Sequence, residues 1–328
     1  MNGRQQDDTS PPKPRRRPWV IARRLLAGLA ATILLAIGGL VLIPFGQRVD
    51  HSWSPRVERP FHVDSHPTIC FDEGHYNAHT ATGRYSPLVR LLEADGYRVA
   101  RHRGSFTDAS LGPCGTLVVA NAAGGDRWKL GPINLPITRG GERGDPAFTE
   151  QEIARLRSWV ERGGSLLLIA DHAPFGSASR ALAAAFGVGM TGGFVEVPSG
   201  SVASGGRGTM LFSDANGLLR PHPVTSGLRR VLTFTGQGLT GAGDPLLQFP
   251  ADAVEFVPPG PELKPVSAAH HRQAVALGLG SGRVAVLGEA GMISAQIGDD
   301  GEPMGMNVAG NDNQAFALNL FRWLSRAI

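Results

Sequence analysis

From Leu25 to Gly46 the chain runs LLAGLAATILLAIGGLVLIPFG, 22 residues without a charge. As a helix this stretch is about 33 Å long at 1.5 Å per residue, enough to cross a hydrocarbon core of about 30 Å. No other feature limits the chain so strongly, because a helix apolar on every side either spans a bilayer or lies at the centre of a large core. A cleaved signal peptide has an apolar region of about 7–15 residues ending in small residues at a cleavage site. Here the run ends Ile43-Pro44-Phe45-Gly46-Gln47, with no such site. The expectation is one transmembrane helix at 25–46.

Charge gives that helix an orientation. The protein has 32 basic and 28 acidic residues, a net charge of +4, and residues 1–24 alone hold seven of the bases and two of the acids. The other 304 residues therefore carry 25 bases (32 less 7) and 26 acids (28 less 2), close to neutral. A neutral domain removes nucleic acid as a partner. A basic tail ahead of the span stays in the cytoplasm by the positive-inside rule, so the protein reads as single-pass in the cytoplasmic membrane with residues after 47 outside. Residues 47–66, QRVDHSWSPRVERPFHVDSH, are polar with two prolines and read as a linker.

Residues 67–328 alternate between two periods. Thr68–Phe71, Tyr97–Arg101, Thr116–Ala120 and Ser165–Ala170 are short apolar runs of strand type. Between them lie helical patterns: Ser86-Pro87 opens one, with a hydroxyl at the N-cap, and Thr149-x-x-Glu152 has capping-box spacing before Ile153, Leu156, Trp159 and Val160. A long polar loop is expected after Asn121, a helix at about 177–187, and an irregular Gly/Pro-rich insertion at about 190–265. Ala274–Leu279 and Arg283–Gly288 flank Gly280-Ser281-Gly282 as a hairpin, and a last helix carries Phe316, Leu320, Trp323 and Leu324. The alternation predicts an α/β fold, a flavodoxin-like three-layer parallel sheet.

In such sheets ligands sit beyond the carboxyl ends of the strands, and the polar residues of this chain fall there. Asp72, Glu73, His75, Asn77 and His79 follow the first strand, Asn121 the third and Asp171-His172 the fourth; Glu289 follows the hairpin, and Asn311 and Asp312 precede the last helix. Two readings stand open. One is a divalent metal site of zinc or manganese type on Asp72, His75, His79, Asp171 and His172. The other is a hydrolase with Asp72, Glu73 or Glu289 as general acid or base and His172 as proton carrier, the remaining polar residues binding ligand. His222 and His270-His271 read as surface features. Cys70 falls within the first strand and Cys114 before the third begins, an offset of about 13 Å along parallel neighbours, so two free thiols are expected.

The segments SWVERGGSLLLIADHAPFG, HPVTSGL and GRVAVLGEAGMISAQ…GMNVAGNDNQAFALNLFRWL, with Asp-x-Gly-His-x-Asn-x-His at 72–79, resemble the class I glutamine amidotransferase-like superfamily. The nearer resemblance is to an uncharacterised bacterial branch of it, a domain of unknown function that is often membrane-anchored. It covers about residues 66–328 and implies a flavodoxin-like fold. The catalytic apparatus does not carry over: where the nucleophilic cysteine's elbow would stand, this chain has Ala170-Asp171-His172-Ala173, and the late His-x-Glu pair is replaced by Gly288-Glu289-Ala290. Glutaminase chemistry needs that thiolate. The expected function is binding of a small polar or glycan-type ligand of the cell envelope, with hydrolysis; the alternative is a non-catalytic binding, sensor or scaffold domain.

Overall fold

The structure is a computed structural model that describes residues 46–130, 133–206, 208–257 and 265–328. The basic tail and the expected span, Gly46 apart, lie outside the described residues. Among the described residues no helix is long and apolar enough to cross a membrane.

Nine strands make one central sheet: β1 (Thr68–Asp72), β2 (Arg98–His102), β3 (Thr116–Ala120), β4 (Ser165–Ile169), β5 (Val188–Met190), β6 (Leu239–Gly241), β7 (Asp244–Gln248), β8 (Arg272–Leu279) and β9 (Gly282–Leu287). The order is β2-β1-β3-β4-β9-β8-β6-β5, with β7 also paired to β8. The first five in that order are parallel. They follow the 2-1-3-4-5 sequence of a doubly wound sheet. The expected hairpin forms at Gly280-Ser281, since two residues can only reverse a chain into an antiparallel neighbour, and there the parallel sheet expected from the alternation becomes a mixed one. Strands β5 to β8 extend the sheet antiparallel from there.

Helices α1 (Ser86–Ala94) and α5 (Asn313–Leu324) pack on one face; α2 (Asp108–Leu111), α3 (Glu150–Glu161) and α4 (Phe175–Ala185) pack on the other. Three layers result. The two-residue period of a strand divides the sheet between them, Val118, Ala120, Leu167 and Ile169 toward α1 and α5, and Leu117, Val119, Leu166 and Leu168 toward α3 and α4. β4 is buried on both faces, which is why its sequence is apolar throughout.

The capping box forms as spaced: Glu152 N donates to Thr149 Oγ1 at 3.2 Å, and Thr149 N to Glu152 Oε2 at 3.0 Å. At α1 the cap differs from expectation. Tyr85, not Ser86, is the N-cap and no side chain caps, because a turn closed by Tyr85 N on Thr80 O (3.2 Å) already leads into the helix. The stretch after Asn121 is not a loop but a two-stranded arm, Gly125–Leu130 with Ile133–Gly140. The insertion holds two three-stranded sheets, Ser204–Gly206 with Thr209–Ser213 and Arg230–Phe234, and Phe194–Glu196 with Val254–Phe256 and Pro265–Ser267.

Residues 47–66 are fastened to the domain. Arg48–Val49 pairs with Ala295–Ile297, Arg90 donates to Trp53 O at 3.0 Å, and Gln314 to Arg56 O at 2.7 Å. The expectation of free thiols is overturned: Cys70 and Cys114 form a disulfide, their Cα atoms 5.6 Å apart. The 13 Å offset assumed that the chain runs straight into β3. Instead α2 returns across the sheet, Cys114 N turns back to Leu111 O (3.0 Å), and Cys114 lands over the β1 face that carries Cys70.

Candidate functional site

The sequence-predicted polar residues gather at the carboxyl edge, but into two separate groups. Asp72 ends β1 fully buried, and both its oxygens accept from His75 Nδ1 at 3.0 and 2.9 Å. His75 Nε2 donates to Glu152 Oε1 at 3.1 Å, and its ring lies between Phe106 and Phe148. A ring that donates from both nitrogens is an imidazolium. Burial works against that charge, and the bonds to Asp72 and Glu152 outweigh it, so the His75 pKa is raised. Burial likewise opposes ionisation of Asp72, yet His102 and His75 hold its carboxyl below the usual range. Glu152, against its own desolvation, is brought to about 2 by Thr149 and His75. This ionic chain ties the β1 end to the start of α3, and its donors and acceptors are used up internally.

The second group surrounds the ends of β3, β4 and β9. Asn121 takes a left-handed backbone (φ +52°), which asparagine tolerates better than most residues. From there its Nδ2 donates to Asp171 Oδ2 at 2.6 Å and to His79 Nδ1 at 3.2 Å, while its Oδ1 accepts Asp171 N at 2.8 Å. Since His79 Nδ1 accepts, its proton sits on Nε2. Burial and the charge of Arg84 drop the His79 pKa to about 3, which keeps the ring neutral. Ala290 N donates to Asp171 Oδ1 at 2.8 Å. Glu289 is buried beside it, one oxygen taking Gly291 N and the other Met292 N at 2.7 Å. Burial, then the charge of Asp171, pushes the Glu289 carboxyl well above the usual range, and burial raises Asp171 too.

His172 stacks on Phe194, ring centroids 3.8 Å apart, and its Nδ1 donates to the Ala173 carbonyl at 2.8 Å. That bond fixes the tautomer and leaves the Nε2 lone pair as an acceptor. His79, Asp171, His172 and Glu289 line an inner cavity of about 60 Å³ with Gln47, Phe234 and Thr235. Gln47, Phe234, Thr235 and Met304 also line an outer cleft of about 740 Å³ that reaches Leu232, Asp299, Pro303 and Val308. The close approach behind the site requires a glycine: at Gly236 (φ +131°) a Cβ would stand 2.6 Å from Gly288 O and 2.9 Å from Glu289 Cβ.

Other sequence candidates serve the scaffold. Glu73 pairs with Arg101 Nε (2.6 Å) and accepts Ala81 N, while Asn77 accepts His75 N. Asp312 Oδ2 accepts Arg229 N and Arg230 N, and Asn311 donates to Gly305 O. The five-residue metal set is divided between the two groups, and among the described residues no cluster of three or more His, Cys, Asp or Glu is arranged to hold a metal ion. His222 faces Trp323, and His271 lies 3.7 Å from the buried Glu255. Sequence reasoning missed Gln237, fully buried, which donates to Ala170 O and Asp171 O and accepts Gly192 N. It also missed Gln47, Phe234, Thr235 and Met304, which reach the site from outside the doubly wound core.

No protein-family profile and no curated protein sequence matches the chain. Among solved structures the fold is similar to that of the mmIFT52 N-terminal domain, at 15% identity over 78% of this chain and 97% of that one, with a TM-score of 0.55. At that identity the likeness concerns the fold alone. The structural neighbours also include ThuA-like proteins. One from Bacteroides uniformis is 12% identical over 83% of this chain and 94% of that one (TM-score 0.39). One from Parabacteroides merdae is 15% identical over 80% and 91% (TM-score 0.41). TM-scores this low support no further comparison.

Proposed function

We propose that the protein is a membrane-anchored, extracytoplasmic α/β domain that binds a small polar, glycan-type ligand in the crevice and hydrolyses it by acid–base chemistry. The observation that carries the reading is Glu289: a carboxyl held protonated by burial and by Asp171, in a cavity that also presents the free Nε2 of His172. A neutral carboxylic acid beside an imidazole nitrogen with no bonded partner is an acid–base pair of the kind hydrolysis uses. Glu289 gives its proton to the leaving-group oxygen as that bond breaks; His172 takes one from the attacking water, whose oxygen bonds to the released centre. The Cys70–Cys114 disulfide supports an oxidising, extracytoplasmic compartment.

One observation favours the non-catalytic reading. The oxygens of Asp171 and Glu289 already accept from Asn121, Ala290, Gly291 and Met292, as they would in a rigid binding loop. The full chain assayed on 4-nitrophenyl glycosides and esters separates the two. Hydrolysis predicts turnover that falls at least about 100-fold in Glu289→Gln and in His172→Ala. Saturable binding without turnover favours the scaffold, and absence of both binding and turnover defeats either form of the proposal.

A further inference from the structure

The ring of His172 rests on a residue that the doubly wound core does not supply. Phe194, stacked on it at 3.8 Å, follows the turn Thr191-Gly192-Gly193 that leads from β5 into the insertion. Ala173 N donates to Gly192 O at 2.9 Å, so the loop that carries His172 and the turn that carries Phe194 are joined twice, once through backbone and once through the rings. Gln237 adds a third tie: its Oε1 accepts Gly192 N at 2.7 Å while its Nε2 donates to Ala170 O at 2.7 Å and to Asp171 O at 3.1 Å. A shift of the turn therefore shifts the imidazole that faces the cavity.

Glu255 holds that turn from the other side. It is fully buried, and its Oε1 accepts the Thr191 hydroxyl and, at 2.9 Å, Gly238 N. Gly238 N also reaches Thr191 Oγ1 at 3.1 Å, and Thr191 N donates to Gly238 O at 3.2 Å, so Thr191 is clasped by side chain and backbone together. The backbone of Glu255 pairs with Val195, and that of Phe256 with Phe194. The stem of the carboxylate runs directly against the turn, since a Cβ at Gly193 would stand 2.5 Å from Glu255 Cγ. Burying a carboxyl group is costly unless its oxygens are bonded. Here Oε2 has no hydrogen-bond partner and lies 3.7 Å from His271 Nδ1, which has none either. The bonds that account for Glu255 are those of Oε1, and both belong to the clasp on the turn.

We propose that Glu255 is a positioning residue for His172: through Thr191 it fixes the turn that carries Phe194, and through Phe194 the direction in which the His172 Nε2 lone pair enters the cavity. Glu255 acts at a remove, because it does not itself line the cavity. The inference rests on the reading of His172 as the base of the proposed function, but its test needs no turnover.

The test is NMR of the full chain in detergent micelles at one fixed pH, with isotope-labelled histidine rings. The protein has ten histidines, and the His172 signal is the one missing from His172→Gln. The stacked phenyl ring shields the His172 ring protons, and Phe194→Leu gives their position without it. Thr191→Val and Glu255→Ala are expected to move the His172 signal more than half of the way to that position. Glu255→Gln, which keeps an accepting oxygen for Thr191 and Gly238, should hold it near its wild-type place. His75 belongs to the separate ionic chain, so its unchanged signal shows that a variant is folded. If Glu255→Ala does not fold, Thr191→Val decides, since it removes only a hydroxyl. A His172 signal that stays in place in Thr191→Val overturns the proposal, and so does one displaced as far in Glu255→Gln as in Glu255→Ala. In the glycoside and ester assays, Thr191→Val should lower kcat by up to about 100-fold with little change in KM. Turnover with an unmoved His172 signal defeats this inference alone, whereas a moved signal without turnover keeps the placement of His172 and defeats the hydrolytic reading.

Discussion

His79 and Glu289 are buried groups whose pKa values have moved in opposite directions, and each leaves a signature in stability. His79 stays neutral down to about pH 3, whereas in the unfolded chain it binds a proton near 6.5. Between those values the unfolded state holds one more proton, so its contribution falls by about 1.4 kcal/mol per unit as pH falls. The stability advantage of the wild type over His79→Gln should shrink with that slope in denaturant titrations between about pH 6.5 and about pH 4.5. A constant difference would show that the ring titrates normally. For Glu289 the sign reverses. The unfolded carboxyl ionises near 4.5 while the folded one keeps its proton, so stability is lost as pH rises. Wild type should therefore lose ground to Glu289→Gln from pH 4 to pH 8, and the opposite trend would mean an ionised carboxylate in the cavity. Both residues were visible in the sequence as polar groups after strands. Which would cooperate was not, because it depends on the turns: Asn121 joins His79 to Asp171, while Glu152, 77 residues further along the chain, claims His75.

At the scale of elements, α3 shows how much a local signal can carry. Thr149-x-x-Glu152 announced the helix start, and the same Glu152 also accepts His75 and Phe106 N across the fold. Glu152→Ala removes the reciprocal half of the capping box, the bonds from Thr149 to its carboxylate, and leaves His75 with one carboxylate. Breaking a buried pair in this way costs about 3–5 kcal/mol, against about 1 kcal/mol for a lost cap alone. A loss near the smaller figure in urea unfolding would mean that His75 discharges and the ionic chain contributes nothing. The disulfide links β1 to the approach of β3 across 44 residues. In the loop-entropy picture that cross-link is worth about 4 kcal/mol, and Cys70→Ala with Cys114→Ala should lose about that much. Parallel strands and their helices were legible because each strand repeats one residue type on both faces or alternates between them. The disulfide was not legible, since it depends on where a three-residue turn places Cys114, and neither was the antiparallel half of the sheet, where β5, β6 and β7 are short segments that gain their burial from β8.

The whole molecule combines a neutral α/β domain, a disulfide, and a site whose lining includes Gln47, the residue that follows the uncharged run. The proposed placement of the domain outside the cytoplasm accounts for the disulfide. A reducing cytoplasm would keep Cys70 and Cys114 as thiols, and an orientation reversed against the basic tail would put the domain there. Intact cells that make the full chain give a direct check: the protein is denatured in acid, treated with a thiol-reactive mass tag with or without prior reduction, and resolved by size. The expected outcome is no tag before reduction and two after it, since the chain has two cysteines and both are in one bridge. External protease, added to cells whose outer barrier has been opened, should remove the domain from the membrane fraction. Two tags without reduction, together with protection from protease, would place the domain in the cytoplasm.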